Sequence, residues 1–164
     1  MIKIDEITYE MIADVLNKKD YKMLREYFEE YNIVDLAEVI NEAPIDWIVV
    51  MMKVLKKKSS ADLFTYLDAD VQEKLIQTLT SPQIRELLDN LMDDDMVDFI
   101  EEMPSNVAKI VLSAASAQTR QDINFLLSFK ENTAGSILTT EYVELNETDT
   151  VMDAIDKIKA QGKV

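Results

Sequence analysis

The sequence contains no histidine and no cysteine among its 164 residues. These absences exclude Ser-His-Asp and Cys-His catalysis, zinc sites built from histidine or cysteine, haem ligation and disulfide bonds. The carboxylate oxygens of aspartate and glutamate remain in quantity, and such hard ligands suit Mg²⁺ or Ca²⁺. We therefore expect any metal chemistry of this chain to use oxygen ligands.

Glycine and proline are also scarce, with two and three residues respectively. This leaves little material for hairpins or phosphate-binding loops and favours a helical protein. The longest apolar run, Trp47–Met52, is far shorter than the about 20 residues that a membrane-spanning helix needs. Met1–Glu10 already carries four charged side chains, so no secretory signal is expected. Together with the lack of cysteine, these features indicate a soluble chain in a reducing cytosol.

The charge balance is strongly acidic, with 32 Asp and Glu against 17 Lys and Arg and a net charge of -15. This argues against nucleic acid as a partner, because phosphates require a basic face. The imbalance is greatest in residues 59–132, which hold 14 acidic and five basic residues.

Apolar residues recur every twelve positions along most of the chain. One series comprises Leu63, Leu75, Leu87, Phe99, Val111 and Ile123, and a second, four residues further on, comprises Leu67, Leu79, Leu91, Met103, Ala115 and Leu127. An earlier series, Leu24, Leu36 and Ile48, has the same step but is out of phase by three residues. Lys56–Lys58 lies between the series, and we interpret it as a lengthened turn.

This spacing predicts an all-α fold, because residues four apart share one face of a helix. A period of twelve leaves about eight to ten residues for each helix, and helices so short need neighbours to be stable. We predict about ten short helices stacked in an armadillo-like or solenoid-like superhelix over residues 1–132.

The pattern changes after residue 132. Thr133–Ser136 contains a glycine break, Tyr142–Leu145 reads as a short strand, and Asn146–Asp149 reads as a turn. Thr150 is expected to cap a helix whose apolar residues follow helical spacing. Because one strand and one helix cannot bury a core, residues 133–164 are interpreted as the beginning of a second domain, and the chain as a fragment.

The densest acidic cluster comprises Asp93, Asp94, Asp95, Asp98, Glu101 and Glu102. Asp98 lies four residues after Asp94 and three after Asp95, so these carboxylates share one helical face. One interpretation is that Asp95 caps the helix and the other acids complement its dipole. The other adds cation binding, because like charges four apart are otherwise mildly destabilising. The spacing matches no EF-hand.

Several segments together resemble the MgtE family of magnesium transporters. They are Asp35–Ile40, Asp94–Asp98 and above all Thr133–Val143, which follows the family's junction T-A-G-G-x-M-T-P-E-Y-V. In this chain Ser136 replaces the second glycine, Leu138 the methionine and Thr140 the proline. The resemblance implies a helical N domain at 1–132 and the start of a first CBS module at 133–164.

The resemblance also implies a function. In the family, cytosolic Mg²⁺ bridges the N domain to the CBS domains and favours the closed pore. The matching Mg²⁺ ligands are the side chains of Asp62 (a glutamate in the relative compared), Asp94 and Asp98, and the backbone carbonyl of Ser136. Asp95 is added as a candidate ligand from the acidic cluster.

The partners implied are the CBS domains and connecting helix of the same full-length chain. A full-length homodimer at the cytoplasmic side of the cell membrane is implied as well, with a membrane contact only through its pore domain. Binding of Mg²⁺, the regulatory ligand, is expected to be weak in this chain, and no catalysis is expected.

Two other interpretations remain open. An acidic superhelix could be a protein-interaction scaffold, similar to the middle domain of the flagellar motor-switch protein G family. A metal-assisted hydrolase would need carboxylates clustered around an open metal position. The Thr133–Val143 junction favours the transporter family, because a scaffold needs no lead into a CBS module.

Overall fold

The computed structural model describes residues 7–130, 133–138 and 142–161. Ten short α-helices occupy the first of these ranges, a 3₁₀ turn follows at Ala134–Ile137, and α11 spans Val151–Gln161. The ten helices are α1 (Tyr9–Lys18), α2 (Tyr21–Glu30), α3 (Ile33–Asn41), α4 (Ile45–Val54), α5 (Lys57–Thr65), α6 (Ala69–Thr78), α7 (Ser81–Leu88), α8 (Asp93–Glu102), α9 (Ser105–Ala114) and α10 (Ala117–Leu126). The prediction of an all-helical superhelix of about ten helices is confirmed.

Each of α2 to α10 begins twelve residues after the helix before it. Polar caps set several of these starts: Asp20 Oδ1 accepts the Met23 N–H at 3.2 Å, and Ser116 Oγ accepts the Thr119 N–H at 3.0 Å. Pro44 directly precedes α4, where its missing N–H leaves no helical hydrogen bond unmade. The sequence period is therefore the period of the helix starts.

The interpretation of Lys56–Lys58 as a lengthened turn is wrong. Helix α5 begins at Lys57, twelve residues after the start of α4 at Ile45, so no residue is inserted. The apparent phase shift arises because the fourth residue of α5 and α6 is polar. Ser60 and Gln72 are buried at the position that Ile48 holds in α4.

These buried polar side chains donate hydrogen bonds to backbone carbonyls at the end of the preceding helix. Ser60 Oγ donates to the Met52 carbonyl at 2.9 Å, and Gln72 Nε2 donates to the Phe64 carbonyl at 2.7 Å. Arg120, at the same position of α10, donates to the Leu112 carbonyl at 3.3 Å. Each acceptor lies in the last turn of a helix, where carbonyls have no intrahelical donor.

Helices two apart along the chain are also joined. Arg25 Nε donates to the Val54 carbonyl at 3.0 Å, linking α2 to α4, and Arg85 Nε donates to the Ala114 carbonyl at 2.8 Å, linking α7 to α9. The buried apolar side chains of α1 to α10, apart from Val97 and Leu126, form one continuous core. This arrangement is a superhelix in which each short helix is stabilised by several neighbours.

None of the helices described has both the length and the apolar composition that a membrane crossing requires.

The second part of the chain agrees with the sequence except for the strand. No strand forms at Tyr142–Leu145, since the described residues offer no second strand to pair with it. The predicted turn is present, with the Asp149 N–H donating to the Asn146 carbonyl at 3.0 Å. Thr150 caps α11 as expected, because its Oγ accepts the Asp153 N–H at 3.2 Å.

Two carboxylates accept hydrogen bonds at the start of α11. The Thr150 hydroxyl donates to Asp153 Oδ2 at 2.6 Å, and this hydrogen bond lowers the pKa of Asp153. Lys157 Nζ donates to Asp149 Oδ2 at 2.6 Å and lowers the pKa of that carboxyl.

The apolar side chains of α11 are open to solvent, Val151 being 79% exposed. All buried apolar side chains among the described residues precede residue 127. The boundary at 132/133 remains a prediction.

The junction is held by a close contact at Gly135. A Cβ atom at this glycine would lie 2.2 Å from Cδ1 of the Phe129 ring. Its φ is not positive, so glycine is required for space and not for backbone conformation. The 3₁₀ turn therefore rests directly on the end of the superhelix.

We predict that Gly135→Ala loosens this contact, at a cost of about 1–3 kcal/mol for an overpacked site. Trypsin should then cleave after the exposed Lys130 several times faster than in the unaltered chain, because cleavage follows the opened population. The neighbouring change Ala134→Ser, at an exposed position, serves as the control and should leave the rate unchanged. Equal cleavage rates for Gly135→Ala and the unaltered chain would show that the contact between Gly135 and Phe129 does not hold the junction.

Candidate metal centre

Helix α8 places the acidic cluster on the surface of the superhelix. Asp93, Asp94 and Asp95 form its first turn, where negative charge complements the helix dipole. The exposed side chains of Asp94 and Asp98 lie one turn apart on one face. Asp93, the first residue of α8, is buried, with 8% of its surface exposed. It is therefore not part of the exposed face that Asp94 and Asp98 form.

The interpretation of Asp95 as the helix cap is wrong. Met92 is the N-cap residue, and Asp95 is the third residue inside α8. A residue within the helix has helical backbone angles, so its side chain cannot take the N-cap position. Asp95 instead lines a cleft of about 370 Å³.

That cleft brings together α5 and α8, the two helices that carry the candidate ligands. Its lining residues are Ile33, Asp62, Thr65, Tyr66 and Asp95. The structure therefore places Asp62 and Asp95 at one cleft, while Asp94 and Asp98 are not among its lining residues. Thr65 and Tyr66 were not anticipated from the sequence. The available signal for Tyr66 was its position four residues after Asp62, which places both on one helical face.

The charges of three candidate ligands are not neutralised by ion pairs within the part of the chain that the structure describes. Lys57 pairs with Glu86 at 2.6 Å and Lys74 with Asp70 at 2.7 Å, but Asp62, Asp94 and Asp98 have no such partner there. Each of the three is exposed to solvent. The negative charges of these three carboxylates are thus left without an ion pair in this part of the chain.

The carboxylates do not form a complete metal site by themselves. Over residues 7–130, 133–138 and 142–161, no three acidic side chains are grouped closely enough to hold a metal ion. Asp62, Asp94 and Asp98 present separate carboxylate oxygens, which fit the hard ligands that Mg²⁺ prefers, while leaving most coordination positions to water or other groups. Ligands supplied by another surface would be needed to complete a site.

The fourth candidate, Ser136, lies in the 3₁₀ turn at Ala134–Ile137. Lys19 is the only non-glycine residue with positive φ among those described, so the backbone at Ser136 has negative φ. A serine in place of the family's second glycine therefore brings no left-handed strain at this position.

The comparison with protein families identifies the class of this chain. Residues 31–132 match the family described as the MgtE intracellular N domain, and this segment covers more than half of the chain. The chain belongs to the MgtE intracellular N domain family. The resemblance noted from the sequence is confirmed.

Two curated relatives carry the name magnesium transporter MgtE. The protein from Thermus thermophilus is 27% identical over 148 residues, covering 88% of this chain and 33% of the relative. The protein from Bacillus subtilis is 21% identical over 165 residues, covering 98% of this chain and 37% of the relative. The chain thus spans about a third of the length of these relatives.

Two solved structures share the fold. The crystal structure of the soluble part of a magnesium transporter has a TM-score of 0.80 at 22% identity. The matched region covers 93% of this chain and 60% of the chain in that structure. The cytosolic domain of the Mg²⁺ channel MgtE in complex with ATP has a TM-score of 0.77 at 24% identity, covering 93% and 63%. At these identities the similarity establishes the fold.

Proposed function

We propose that this chain is the Mg²⁺-sensing N domain of an MgtE-type magnesium transporter, together with the beginning of its first CBS module. Membership of the N domain family and the names of the two curated relatives support this assignment. It favours the transporter interpretation over the flagellar-type scaffold. Since the named relatives are transporters, we assign the chain no catalytic role.

The observation that carries the sensing role is the set of exposed carboxylates at Asp62, Asp94 and Asp98 that lack cationic partners in the described residues. In the full-length protein these would face acidic surfaces of the CBS domains and the connecting helix. Two such surfaces repel when they approach within about 8 Å at physiological salt. A divalent cation between them reverses the sign of that interaction.

Mg²⁺ suits this role because of its coordination chemistry. It requires octahedral oxygen ligation and keeps several waters, so one or two carboxylates from each surface are sufficient. Asp94 and Asp98 would supply two of these oxygens, with Asp62 and Asp95 contributing from the neighbouring cleft and Ser136 through its carbonyl. Sites this sparse bind weakly, as the sensing of an abundant cytosolic ion requires.

The bridging ion would act by shifting a population. A ligand changes a conformational equilibrium only by its difference in affinity for the two states. Here the closed assembly brings ligands from both surfaces to the ion, whereas the open assembly offers only those of one surface. High Mg²⁺ therefore favours the closed pore, and low Mg²⁺ releases the N domain. We place this arrangement at the cytoplasmic side of the cell membrane, in a full-length homodimer.

Isothermal titration calorimetry tests the incompleteness of the site. We predict that the 164-residue chain binds Mg²⁺ weakly, whereas the complete cytosolic part of the full-length protein binds it more tightly, because only the latter has both surfaces. Asp94→Asn with Asp98→Asn should reduce binding by the complete part, and Glu10→Gln with Asp46→Asn, which removes two exposed charges elsewhere, should not. Tight, stoichiometric binding by the 164-residue chain would disprove the proposal.

A further inference from the structure

A second charged surface lies apart from the acidic face of α8. We define the lysine surface as the exposed side chains of Lys53, Lys56, Lys57 and Lys58, at the end of α4 and the start of α5. It gathers four of the 17 basic residues of a chain whose net charge is -15. Such a concentration of positive charge makes the local potential less negative than that of the rest of this acidic surface.

The start of α5 adds to this concentration of positive charge. Its N-cap, Lys56, makes no side-chain capping hydrogen bond, and its first turn contains no acidic residue. The positive end of the helix dipole and the lysines therefore have the same sign, which is the reverse of the usual arrangement. An anionic group bound nearby would be stabilised by both.

The lysine surface already attracts carboxylates within the chain. Lys57 Nζ lies 2.6 Å from Glu86 Oε1, and Lys56 Nζ lies 3.3 Å from Glu29 Oε1. Lys53 and Lys58 have no ion-pair partner among the residues that the structure describes. Two ammonium groups of the surface are thus available for a carboxylate from another molecule.

An open cleft of about 270 Å³ adjoins the lysine surface, between α4, α5 and α7. Its lining combines aliphatic and sulfur-containing side chains with lysines and other polar groups, namely Met52, Lys53, Leu55, Lys57, Ser60, Leu79, Gln83, Glu86 and Leu87. The volume lies slightly below the ~300–1,000 Å³ typical of small-molecule pockets. It suits an apolar anchor from a longer segment better than a whole drug-sized ligand.

We propose that the lysine surface and this cleft form a docking site for an acidic peptide segment of a partner protein that carries an apolar side chain. The carboxylates of the segment pair with Lys53 and Lys58, and its apolar side chain enters the cleft beside Leu55 and Leu87. Charge complementarity selects the acidic partner and accelerates association, while burial of the apolar side chain provides affinity. This site uses none of the carboxylates of α5 and α8, although Lys58 lies one helical turn before Asp62 on α5, and it does not depend on the proposed Mg²⁺ function.

An anionic membrane is a poorer occupant. Lysines near such a surface contribute about 1 kcal/mol each, and most of this chain's surrounding charge is negative, which opposes a flat anionic sheet. A peptide contacts only the local patch and avoids most of that repulsion within the screening distance.

Fluorescence anisotropy on the complete 164-residue chain tests the proposal. The probe is a labelled peptide, Glu-Glu-Leu-Glu-Leu-Glu-Glu, compared with a peptide in which both leucines are alanine. We expect saturable binding that weakens roughly tenfold for Lys53→Glu with Lys58→Glu, and also weakens for the alanine peptide and in 0.5 M salt. Circular dichroism verifies that each variant keeps its helices.

The matched control is Lys109→Glu with Lys130→Glu, which changes the net charge equally at exposed lysines outside the lysine surface. It should alter the affinity less than about twofold, within the range of weak surface effects. Absence of peptide binding, or equal weakening by both variants, would overturn the proposal. It would likewise fail if vesicles containing phosphatidylserine bind through Lys53 and Lys58 while the peptide does not, or if the same lysines only mediate self-association in sedimentation experiments.

Discussion

Transport by the full-length protein should persist at high cytosolic Mg²⁺ when Asp94 and Asp98 are both replaced by asparagine. Asparagine keeps the size of the side chain and removes the negative charge that attracts the ion. The exposed surface of α8 would then lose two of its carboxylates, while Glu101, Glu102 and the buried side of the helix stay unchanged. The differential affinity of Mg²⁺ for the closed assembly would fall, and with it the ability of Mg²⁺ to close the pore.

The size of this effect follows from the coupling between ion binding and closure. Coupling energies between sites typically correspond to 5–150-fold changes in affinity. We expect the Mg²⁺ concentration for half-closure to rise by roughly tenfold or more. Flux of Mg²⁺ into vesicles containing the full-length protein, measured at graded Mg²⁺ on the cytoplasmic side, gives this midpoint.

The control for this experiment is the pair Glu10→Gln with Asp46→Asn. Both residues are exposed and lie on α1 and α4, so the pair removes the same charge from other helices. Its midpoint should match that of the unaltered protein. Unaltered closure of the Asp94 and Asp98 variant would remove these residues from the sensing site.

Phe64→Ala should be the most damaging single change to the superhelix. The ring is 1% exposed, and it packs against Phe99 with ring centroids 5.0 Å apart in an edge-to-face arrangement. Truncation of a buried phenylalanine costs about 3–5 kcal/mol, and an edge-to-face pair contributes part of that loss. Because domains are stable by only about 5–15 kcal/mol, the variant should be close to unfolding.

Urea denaturation followed by circular dichroism measures this loss of unfolding free energy. Tyr66→Ala, two residues further along, is the matched control because its side chain is 50% exposed. We expect it to cost less than about 1 kcal/mol, as surface changes usually do. Similar losses for the two variants would show that Phe64 is not a central core residue.

The twelve-residue period was sufficient to predict the helix count because each helix buries residues at the same positions. The phase of the pattern was harder to interpret. Ser60 and Gln72 occupy buried positions where an apolar residue was expected, since each donates to a carbonyl at the end of the preceding helix. A sequence shows that a residue is polar but not that a carbonyl lies within reach, so the shift was mistaken for an inserted turn.

The same limit applies to the candidate site. The shared face of Asp94 and Asp98 follows from helical spacing alone, because the two residues lie four apart on α8. The cleft that joins Asp62 to Asp95 depends on the packing of α5 against α8, which spacing within one helix does not reveal. The strand predicted at Tyr142–Leu145 shows the related difficulty for β structure, since a strand is defined by a partner that local sequence does not provide.

In the proposed mechanism, Mg²⁺ holds together two acidic surfaces that otherwise repel. Small-angle X-ray scattering of the complete cytosolic part of the full-length protein tests it most directly, once with excess Mg²⁺ and once with chelator. We expect a smaller radius of gyration with Mg²⁺ than with chelator. Identical dimensions in both conditions would contradict it.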